Sequence, residues 1–292
     1  MADVVILGNG PAGISAALYT VRAGLETLIV GRGGGSLEKT GKIENYYGFS
    51  EPVSGKVLIQ NGLDQAKRLG VNIVEDEVVG ISYDGNFAVK AKNKDYSAPF
   101  VVMATGSSRN TPKISGIKEF EGKGVSYCAV CDGFFYRKKE VAVLGCGEYA
   151  LHEASELLPI AGRVTVLTNG DEPSAEFPPE IVINKKNISS LEGENGVLKA
   201  ARFTDGTALE VSGLFVAVGV AGSTDLAKKI GAETSGAYIV TDENKRTNIP
   251  NLYAAGDCTG GLLQVSKAVY DGAIAGTNII KEFRKLKKKS GA

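Results

Sequence analysis

The sequence predicts an α/β protein made of two similar domains, because one strand–loop–helix pattern occurs twice along the chain. In each copy, a short apolar run leads into a glycine-rich loop, and a helical pattern follows. A second strand then returns beside the first, as a parallel βαβ unit requires. Glycine accounts for 38 of the 292 residues, against roughly 7% in an average chain, which indicates many tight turns or places where a ligand approaches the backbone.

The overall composition excludes several classes of protein. The 33 basic and 33 acidic side chains balance, so the chain has no excess of positive charge for binding nucleic acid. An apolar content of 43% with 23% charged residues is typical of a globular protein. The longest nearly apolar stretch, residues 214–222, is much shorter than the roughly 20 residues of a membrane span. The first residues lack the basic start of a secretory signal, so we expect a cytoplasmic protein with neither a membrane nor a nucleic-acid partner.

The first copy of the pattern has the spacing of a dinucleotide-binding loop. A strand is predicted over residues 3–7, followed by the loop 8–13 and a helix that runs to about Arg22. Gly8 suits the tight turn, Gly10 lets a pyrophosphate approach the backbone, and Gly13 lets the helix pack closely on the strand. The helix N-terminus then adds amide donors and the positive end of the helix dipole.

The second copy follows the same order of elements. Its strand is predicted over residues 141–144, its loop over 145–150 and its returning strand over 164–167. Each copy is followed by a further buried strand that ends in glycine, at residues 100–106 and 214–219. We therefore predict two Rossmann-like, three-layer (ββα) dinucleotide-binding domains in an α/β fold.

A late strand indicates that one domain is inserted into the other. Residues 251–257 form another buried-strand pattern that ends in an aspartate, and they come too late to belong to the central domain. We assign them to the first sheet. The crossings are expected where proline and polar residues interrupt both patterns, near Pro112 and at 246–250. The predicted domains are residues 1–112 with 247–292, and residues 113–246.

The cysteine pair in residues 128–132, Cys-Ala-Val-Cys-Asp, is the second chemical signal. A tetrahedral zinc site would need two further ligands, and only Cys146, Cys258 and His152 remain, with no second closely spaced pair. We therefore favour a redox dithiol over a zinc site or an inert pair, and expect no metal. Asp132 is adjacent and suited to donate or accept a proton. His152 is interpreted as structural and Cys258 as a packing residue.

The dithiol segment from Tyr127 to Tyr136 resembles the active-site segment of low-molecular-weight thioredoxin reductases. Four other segments match flavin-side segments of that family in the same order, and together they extend the resemblance over nearly the whole chain. These segments are residues 34–37, 44–48, 104–106 and 255–257.

The resemblance implies a role for each redox residue. FAD would lie in the discontinuous domain and the dithiol in the central one. Cys131 would accept electrons from the flavin, Cys128 would attack the disulfide of thioredoxin, and Asp132 would manage the proton. A homodimer is also implied. Gly31 stands where an acidic ribose partner is expected, and the family tolerates this departure.

The positions expected to form the FAD site come from the first glycine loop, the end of the second strand and the segments that match the family. Two more lie where, by the resemblance, the final helix begins over the flavin. They are Gly8, Gly10, Pro11, Ala12, Gly13, Gly31, Gly35, Ser36, Leu37, Asn45, Ala104, Thr105, Gly106, Gly256, Asp257, Gln264 and Val265.

The second glycine loop departs from the family in the region that would bind NADPH. Family members carry a His-Arg-Arg run after the returning strand, whereas residues 168–176 offer three carboxylates and no cation. A 2′-phosphate is best bound by guanidinium groups. Tyr149 also occupies a loop position where a small residue usually admits the pyrophosphate. We therefore expect that NADPH is not the electron donor.

The sequence is compatible with more than one other electron donor. The sequence looks most like ferredoxin-dependent flavin thioredoxin reductases, and basic segments suited to an acidic ferredoxin occur at 137–139, at 185–186 and at 281–289. Asp171 is placed to accept from the ribose of NADH, so an NADH-dependent reductase is the alternative, with a thiol-oxidase-like flavoprotein after it. A non-enzymatic FAD-binding module would leave the dithiol unexplained, and a ferredoxin–NADP reductase would need the missing arginines.

Overall fold

The computed structural model describes residues 2–33, 35–38, 40–106, 112–127, 129–219 and 221–289, apart from the side chains of Ser36, Val130, Cys131 and Lys289. It divides into two compact units. The first unit comprises residues 1–108 and 222–292, and the second unit comprises residues 109–221. The predicted α/β fold, with one domain inserted into another, is confirmed.

The helices and strands follow in chain order. The first unit begins with β1 (Val4–Leu7), α1 (Pro11–Arg22), β2 (Thr27–Gly31), α2 (Gly35–Glu38), α3 (Gly55–Arg68), β3 (Asn72–Glu75), β4 (Val78–Tyr83), β5 (Phe87–Ala91), β6 (Tyr96–Ala98) and β7 (Phe100–Met103). The second unit contains β8 (Val125–Ser126), α4 (Ala129–Asp132), a 3₁₀ helix (Gly133–Tyr136), β9 (Glu140–Leu144), α5 (Glu148–Leu157), β10 (Arg163–Leu167), β11 (Val182–Asn184), β12 (Ile188–Glu194), β13 (Val197–Phe203), β14 (Ala208–Glu210) and β15 (Gly213–Val216). The first unit resumes with α6 (Ser223–Lys229), β16 (Thr234–Ser235), β17 (Tyr238–Ile239), β18 (Leu252–Ala254), a 3₁₀ helix (Asp257–Thr259) and α7 (Val265–Lys289).

The first unit is built on a parallel sheet with the strand order β18-β7-β1-β2-β3. All four residues of β1 are buried, as expected for a strand covered on both faces. Helices α1 and α7 pack closely, and the Ser15 hydroxyl donates to the Val269 carbonyl at 2.7 Å. A side chain at Gly272 would lie 2.1 Å from the Ala12 carbonyl oxygen. The small residue at position 272 therefore allows this helix contact.

The second unit repeats this arrangement, with a parallel sheet ordered β11-β10-β9-β15-β8. The two glycine loops begin in the same way. Gly8 and Gly145 both have positive φ angles, and a Cβ at either position would lie within 2.3 Å of a backbone oxygen, that of Ala104 or Ala217. Each glycine is therefore required by the same strand-to-helix turn, and the sequence repeat corresponds to a structural repeat.

The return crossing lies in a different place from the one that the sequence suggests. The second unit ends at residue 221, whereas we expected it to extend to 246. Residues 222–246 belong to the first unit, where the Lys229 ammonium group donates to the Val79 carbonyl at 3.1 Å. The polar and proline-containing stretch at 246–250 is instead a turn before β18, in which Thr247 N donates to the Leu252 carbonyl.

None of the helices in the described residues is long and apolar enough to cross a membrane. The same residues contain no cluster of three or more side chains that could hold a metal ion.

Candidate active site

The first glycine loop leaves open space at the N-terminus of α1. Gly10 caps this helix with φ −80° and ψ −178°, a conformation that any residue adopts. A Cβ built on Gly10 has no heavy atom within 4 Å, so none of the described neighbours requires glycine there. By contrast, a Cβ on Gly13 would lie 2.0 Å from the Gly8 carbonyl oxygen. The first turn of α1 carries no acidic residue, and the space above Gly10 therefore suits a phosphate group.

Several predicted site residues meet at the carboxyl ends of the parallel strands. Gly8 lies against Ala104 at the end of β7, and Gly256 after β18 lies against Ala12 of α1. Ligands of open α/β sheets bind at this edge. The edge therefore brings together residues from three separate parts of the first unit.

Two hydrogen bonds connect other predicted positions. The Asn45 amide donates to the Gln264 side-chain oxygen at 3.0 Å, although the two residues are 219 positions apart. The Thr105 and Ser223 hydroxyl groups are 2.7 Å apart, and Ser223 also donates to the Gly106 carbonyl at 2.6 Å. Ser223 is a contact that sequence reasoning missed, because it is 118 residues from Thr105.

The remaining predicted positions lie on three helices and at the end of β2. Gly35 and Leu37 belong to α2, while the side chain of Ser36 lies outside the described part of the chain. Pro11 begins α1, and Val265 begins α7. A Cβ on Gly31 would lie 2.9 Å from the backbone nitrogen of Asn9, so the glycine allows β2 to pass close to the loop.

A carboxylate is present beside the end of β2, although Gly31 itself carries none. The Arg32 guanidinium group forms an ion pair with Glu77 at 2.6 Å, and Glu77 is buried. Sequence reasoning missed Glu77 because it follows β3 rather than β2.

Two carboxylates form hydrogen bonds at the dithiol segment of the second unit: Asp132 within the segment and Glu153 outside it. Cys128 and the side chain of Cys131 lie outside the described residues, but their neighbours are described. The Ser126 hydroxyl donates to Asp132 at 2.6 Å. The Ala129 backbone N–H donates to the buried carboxylate of Glu153, on α5, at 2.7 Å.

The negative charge of Asp132 also affects the pKa of Tyr136, the last residue of this segment. Burial, and then the negative charge of Asp132, raise the pKa of Tyr136 above its ordinary value. The Tyr136 ring packs edge-on against Phe215, with centroids 5.3 Å apart. Between Asp132 and Tyr136, Phe134 and Phe135 are 72% and 69% exposed. Two exposed aromatic side chains beside a dithiol form a surface suited to a protein partner.

The exposed side chain of Ser174 approaches the second glycine loop. Gly147 caps α5 with φ −111° and ψ −168°, and a Cβ there would meet the Ser174 hydroxyl oxygen at 3.3 Å. Ser174 is held over the loop because its N–H donates to the Cys146 carbonyl at 2.8 Å. The first turn of α5 contains Glu148, whose negative charge opposes phosphate binding.

Tyr149 follows Glu148 in the first turn of α5. Its side chain is buried, and its hydroxyl group donates to the Tyr127 carbonyl at 3.2 Å. Tyr149 therefore connects the second glycine loop to the residue that precedes Cys128. Asp171, the candidate ribose partner of NADH, is exposed.

The two remaining cysteines differ in their surroundings. Cys258 is buried, and its thiol donates to the Met103 carbonyl at 3.3 Å. Burial raises its pKa to about 12. Cys146 is partly buried, and its pKa is also raised, first by burial and then by the charge of Asp171. The thiolate form, which is the reactive one, is therefore disfavoured at both positions.

The chain matches one family over most of its length. A family model described as pyridine nucleotide-disulphide oxidoreductase matches residues 2–272. The thioredoxin reductase of Listeria monocytogenes is 36% identical, with 98% of this chain and 95% of that protein covered.

Solved structures show the same similarity. The atypical thioredoxin reductase TRi from Desulfovibrio vulgaris Hildenborough superposes with a TM-score of 0.89 at 42% identity, over 97% of this chain and 99% of that one. A ferredoxin-flavin thioredoxin reductase from Clostridium acetobutylicum superposes with a TM-score of 0.71 at 27% identity, over 97% and 98% of the two chains.

Proposed function

The chain belongs to the thioredoxin reductases of the pyridine nucleotide-disulphide oxidoreductase family, and we propose that reduced ferredoxin, rather than a nicotinamide nucleotide, supplies its electrons. It is an FAD-dependent oxidoreductase whose protein substrate is thioredoxin. Bound FAD supplies the exchange between single-electron transfer and dithiol chemistry.

We propose that the first unit holds FAD, because its glycine loop has space for a ligand. The open position at Gly10 and the acid-free N-terminus of α1 fit the pyrophosphate. Asp257 and the bonded pair Asn45 and Gln264 would bind the remainder of the cofactor at the same sheet edge. Asp257 is partly buried, and burial raises its pKa, with the charge of Lys267 opposing this change.

The observation that supports the donor proposal most directly is the contrast between Gly10 and Gly147. Both residues cap helices in matching loops and both have ordinary backbone angles, yet only Gly10 has free space above it. At Gly147 the Ser174 hydroxyl group lies in the corresponding space, and Glu148 adds negative charge to the first turn of α5. A bound pyrophosphate would have to displace the Ser174 side chain and would lie near the Glu148 carboxylate. We infer that the second unit does not bind a pyridine nucleotide, so the electrons come from another carrier.

One relative supports the same donor. A solved structure with the same fold, 27% identical to this chain, is a ferredoxin-flavin thioredoxin reductase. A ferredoxin delivers electrons singly, so two successive transfers are needed for each disulfide reduced.

The basic segments differ in their suitability for docking a ferredoxin. Lys185 is paired with Glu172 and Lys186 with Asp205, so this segment offers little net positive charge. Helix α7 has 25 residues, and at a rise of 1.5 Å per residue its basic segment, residues 281–289, lies about 24–36 Å from the end that borders the FAD site. We propose that residues 281–289 increase the rate of encounter with an acidic ferredoxin but do not mark the point of electron transfer.

The dithiol then passes the electrons to thioredoxin. We propose that the Cys128 thiolate attacks the thioredoxin disulfide, which forms a mixed disulfide and releases one thioredoxin thiolate that takes up a proton. The Cys131 thiolate attacks the sulfur of Cys128, which frees the second thioredoxin thiolate, likewise protonated, and leaves a Cys128–Cys131 disulfide. Two electrons and two protons restore the dithiol. Asp132, held by Ser126, would donate and accept the proton during this exchange.

An anaerobic titration tests the donor assignment. Oxidised enzyme is mixed separately with NADPH, NADH and reduced ferredoxin, and flavin absorbance is followed. We expect bleaching by ferredoxin alone. Rapid bleaching by NADPH or NADH would contradict the proposal, and bleaching by NADH would instead support the alternative in which Asp171 binds the ribose. Consumption of oxygen by the dithiol form at a rate comparable to turnover would support the thiol-oxidase alternative.

Two further measurements test the remaining assignments. We expect Cys128→Ser to lose thioredoxin reduction and to keep its flavin, and a fully active variant would contradict the role of Cys128. We also propose a homodimer, which sedimentation of the holoenzyme would confirm or contradict.

A further inference from the structure

A buried cluster of charged side chains surrounds the turn that presents Asp257. The Asp271 carboxylate pairs with Lys245 at 2.9 Å and with Lys267 at 2.8 Å. Asp271 is 1% exposed, and the two lysine side chains are 17% and 16% exposed. The cluster was not recognisable in the sequence, and the proposed electron transfer does not use it.

Lys267 and Asp271 hold the peptide groups on both sides of Gly256. The Gly256 N–H donates to Asp271 at 3.1 Å. The Gly256 carbonyl accepts from the Lys267 ammonium group at 2.8 Å, from the Thr259 hydroxyl group at 2.8 Å and from the Thr259 backbone N–H at 3.0 Å. Lys267 and Thr259 also contact each other at 2.7 Å. The donor and the acceptor of Gly256 are therefore both fixed.

The backbone conformation of Gly256 depends on such contacts. Its φ of 86° and ψ of −152° fall in a region that is populated almost only by glycine and is maintained when surrounding contacts determine it. A Cβ there would also lie 2.9 Å from the Ala12 side chain. Because Asp257 comes directly after Gly256, the direction of its carboxylate depends on this peptide.

The two lysines differ in what they contact. Lys245 pairs with Asp271, and no described hydrogen bond joins its ammonium group to the turn. Lys267 pairs with the same carboxylate and also reaches the Gly256 carbonyl and Thr259. The charge of Lys267 opposes the rise that burial causes in the pKa of Asp257. Lys245 is therefore a matched control of similar burial.

We propose that Lys267 is a cofactor-positioning residue: it fixes the Gly256 peptide so that the Asp257 carboxylate faces the FAD site, and it thereby sets the affinity of the protein for FAD. This inference rests on the proposed role of Asp257 as an FAD ligand. Lys267 acts through the turn and does not take part in electron transfer.

FAD release from the holoenzyme tests the proposal. Flavin fluorescence after dilution gives the dissociation constant, and thermal unfolding gives the stability of each variant. We expect Lys267→Met to weaken FAD binding about tenfold or more, since it removes charged hydrogen bonds. We expect Lys245→Met to change FAD binding by no more than about threefold, with a similar loss of stability. Lys267→Arg, which keeps the charge and a donor, is expected to bind FAD between the wild type and Lys267→Met.

Several outcomes would overturn the proposed role of Lys267. Equal FAD affinities for Lys267→Met and Lys245→Met would show that the cluster is only structural, and would overturn the proposal. If Lys267→Met does not fold, Thr259→Val removes a donor to the same carbonyl without a change of charge, and unchanged FAD affinity in that variant would also overturn it. Asp257→Ala distinguishes a failure of the Asp257 assignment from a failure of the donor assignment. Full FAD affinity there would refute the role of Asp257 and with it the role of Lys267, while the donor assignment would stand.

Discussion

Replacing Gly10 by alanine separates a glycine that the fold needs from one that a ligand needs. The backbone angles of Gly10 suit alanine, and its Cβ would have no heavy atom within 4 Å. The free energy of unfolding of the apoprotein should therefore stay unchanged or rise by about 0.4–1 kcal/mol, because alanine restricts the unfolded chain. Binding of FAD should weaken, since the new methyl group occupies the space that we assign to the pyrophosphate.

The expected loss of FAD affinity in Gly10→Ala follows from the hydrogen bonds that the phosphate would lose. One charge-assisted bond from a backbone N–H contributes about 1.5–3 kcal/mol, which corresponds to a roughly 10- to 150-fold weaker dissociation constant for FAD. Flavin fluorescence measures this constant. Thermal unfolding with and without excess FAD should show that only the holoenzyme loses stability, because the stabilisation by a bound ligand rises with the logarithm of its affinity.

Gly147→Ala is the matched control in the second loop. Its Cβ would meet the Ser174 hydroxyl oxygen at 3.3 Å, which is tight but adjustable. We expect unchanged FAD binding and unchanged ferredoxin-dependent reduction of thioredoxin. If Gly10→Ala kept normal FAD affinity, or if it destabilised the apoprotein by more than about 1 kcal/mol, the interpretation of the open space would be wrong. Loss of ferredoxin-dependent turnover in Gly147→Ala would contradict our assignment of the second loop.

Three further predictions concern the second unit and the buried thiol. Ser126→Ala should lower the rate of thioredoxin reduction about tenfold by releasing Asp132, with flavin content unchanged; stopped-flow kinetics that match the wild type would contradict this. Alanine at both Phe134 and Phe135 should raise the KM for thioredoxin while flavin reduction keeps its rate, and an unchanged KM would exclude these side chains from the docking surface. Because the Cys258 pKa is about 12, this thiol should stay protonated and resist iodoacetamide at pH 8 until the protein unfolds; mass spectrometry that finds it labelled in the folded protein would refute its burial.

The sequence was sufficient to predict the general architecture, because the determinants of the fold recur at fixed spacing. Gly8 and Gly145 each precede a helix after a buried strand, and both have the backbone conformation that the pattern predicts. The return crossing was not predictable in the same way. It depends on contacts such as that between Lys229 and Val79, which lie 150 residues apart, whereas the turn at 246–250 has the local composition of a linker.

The site was predictable to the extent that its residues are adjacent in sequence. Asp132 was identified because it follows the cysteine pair. Glu153 was missed because tertiary packing brings it to the dithiol segment from α5. Ser126 was missed although it directly precedes this segment, because no motif connects a serine at that position with Asp132. Lys267 was missed for a related reason: a lysine in a helix is usually exposed, and only the structure shows that its partly buried ammonium group contacts Gly256 and Asp271.

The two loops also explain why a glycine motif alone does not identify a nucleotide site. Gly145 must remain glycine because its φ is 154° and its Cβ would lie 2.2 Å from the Ala217 carbonyl oxygen. The strand-to-helix turn imposes this requirement whether or not a phosphate binds. The motif can therefore persist in a domain that has lost its ligand. The informative position is the one where the fold permits a side chain, and there the two loops differ: the space is open at Gly10 and holds Ser174 at Gly147. That difference, rather than the match to the motif, is the basis of our proposal that the first unit holds the dinucleotide.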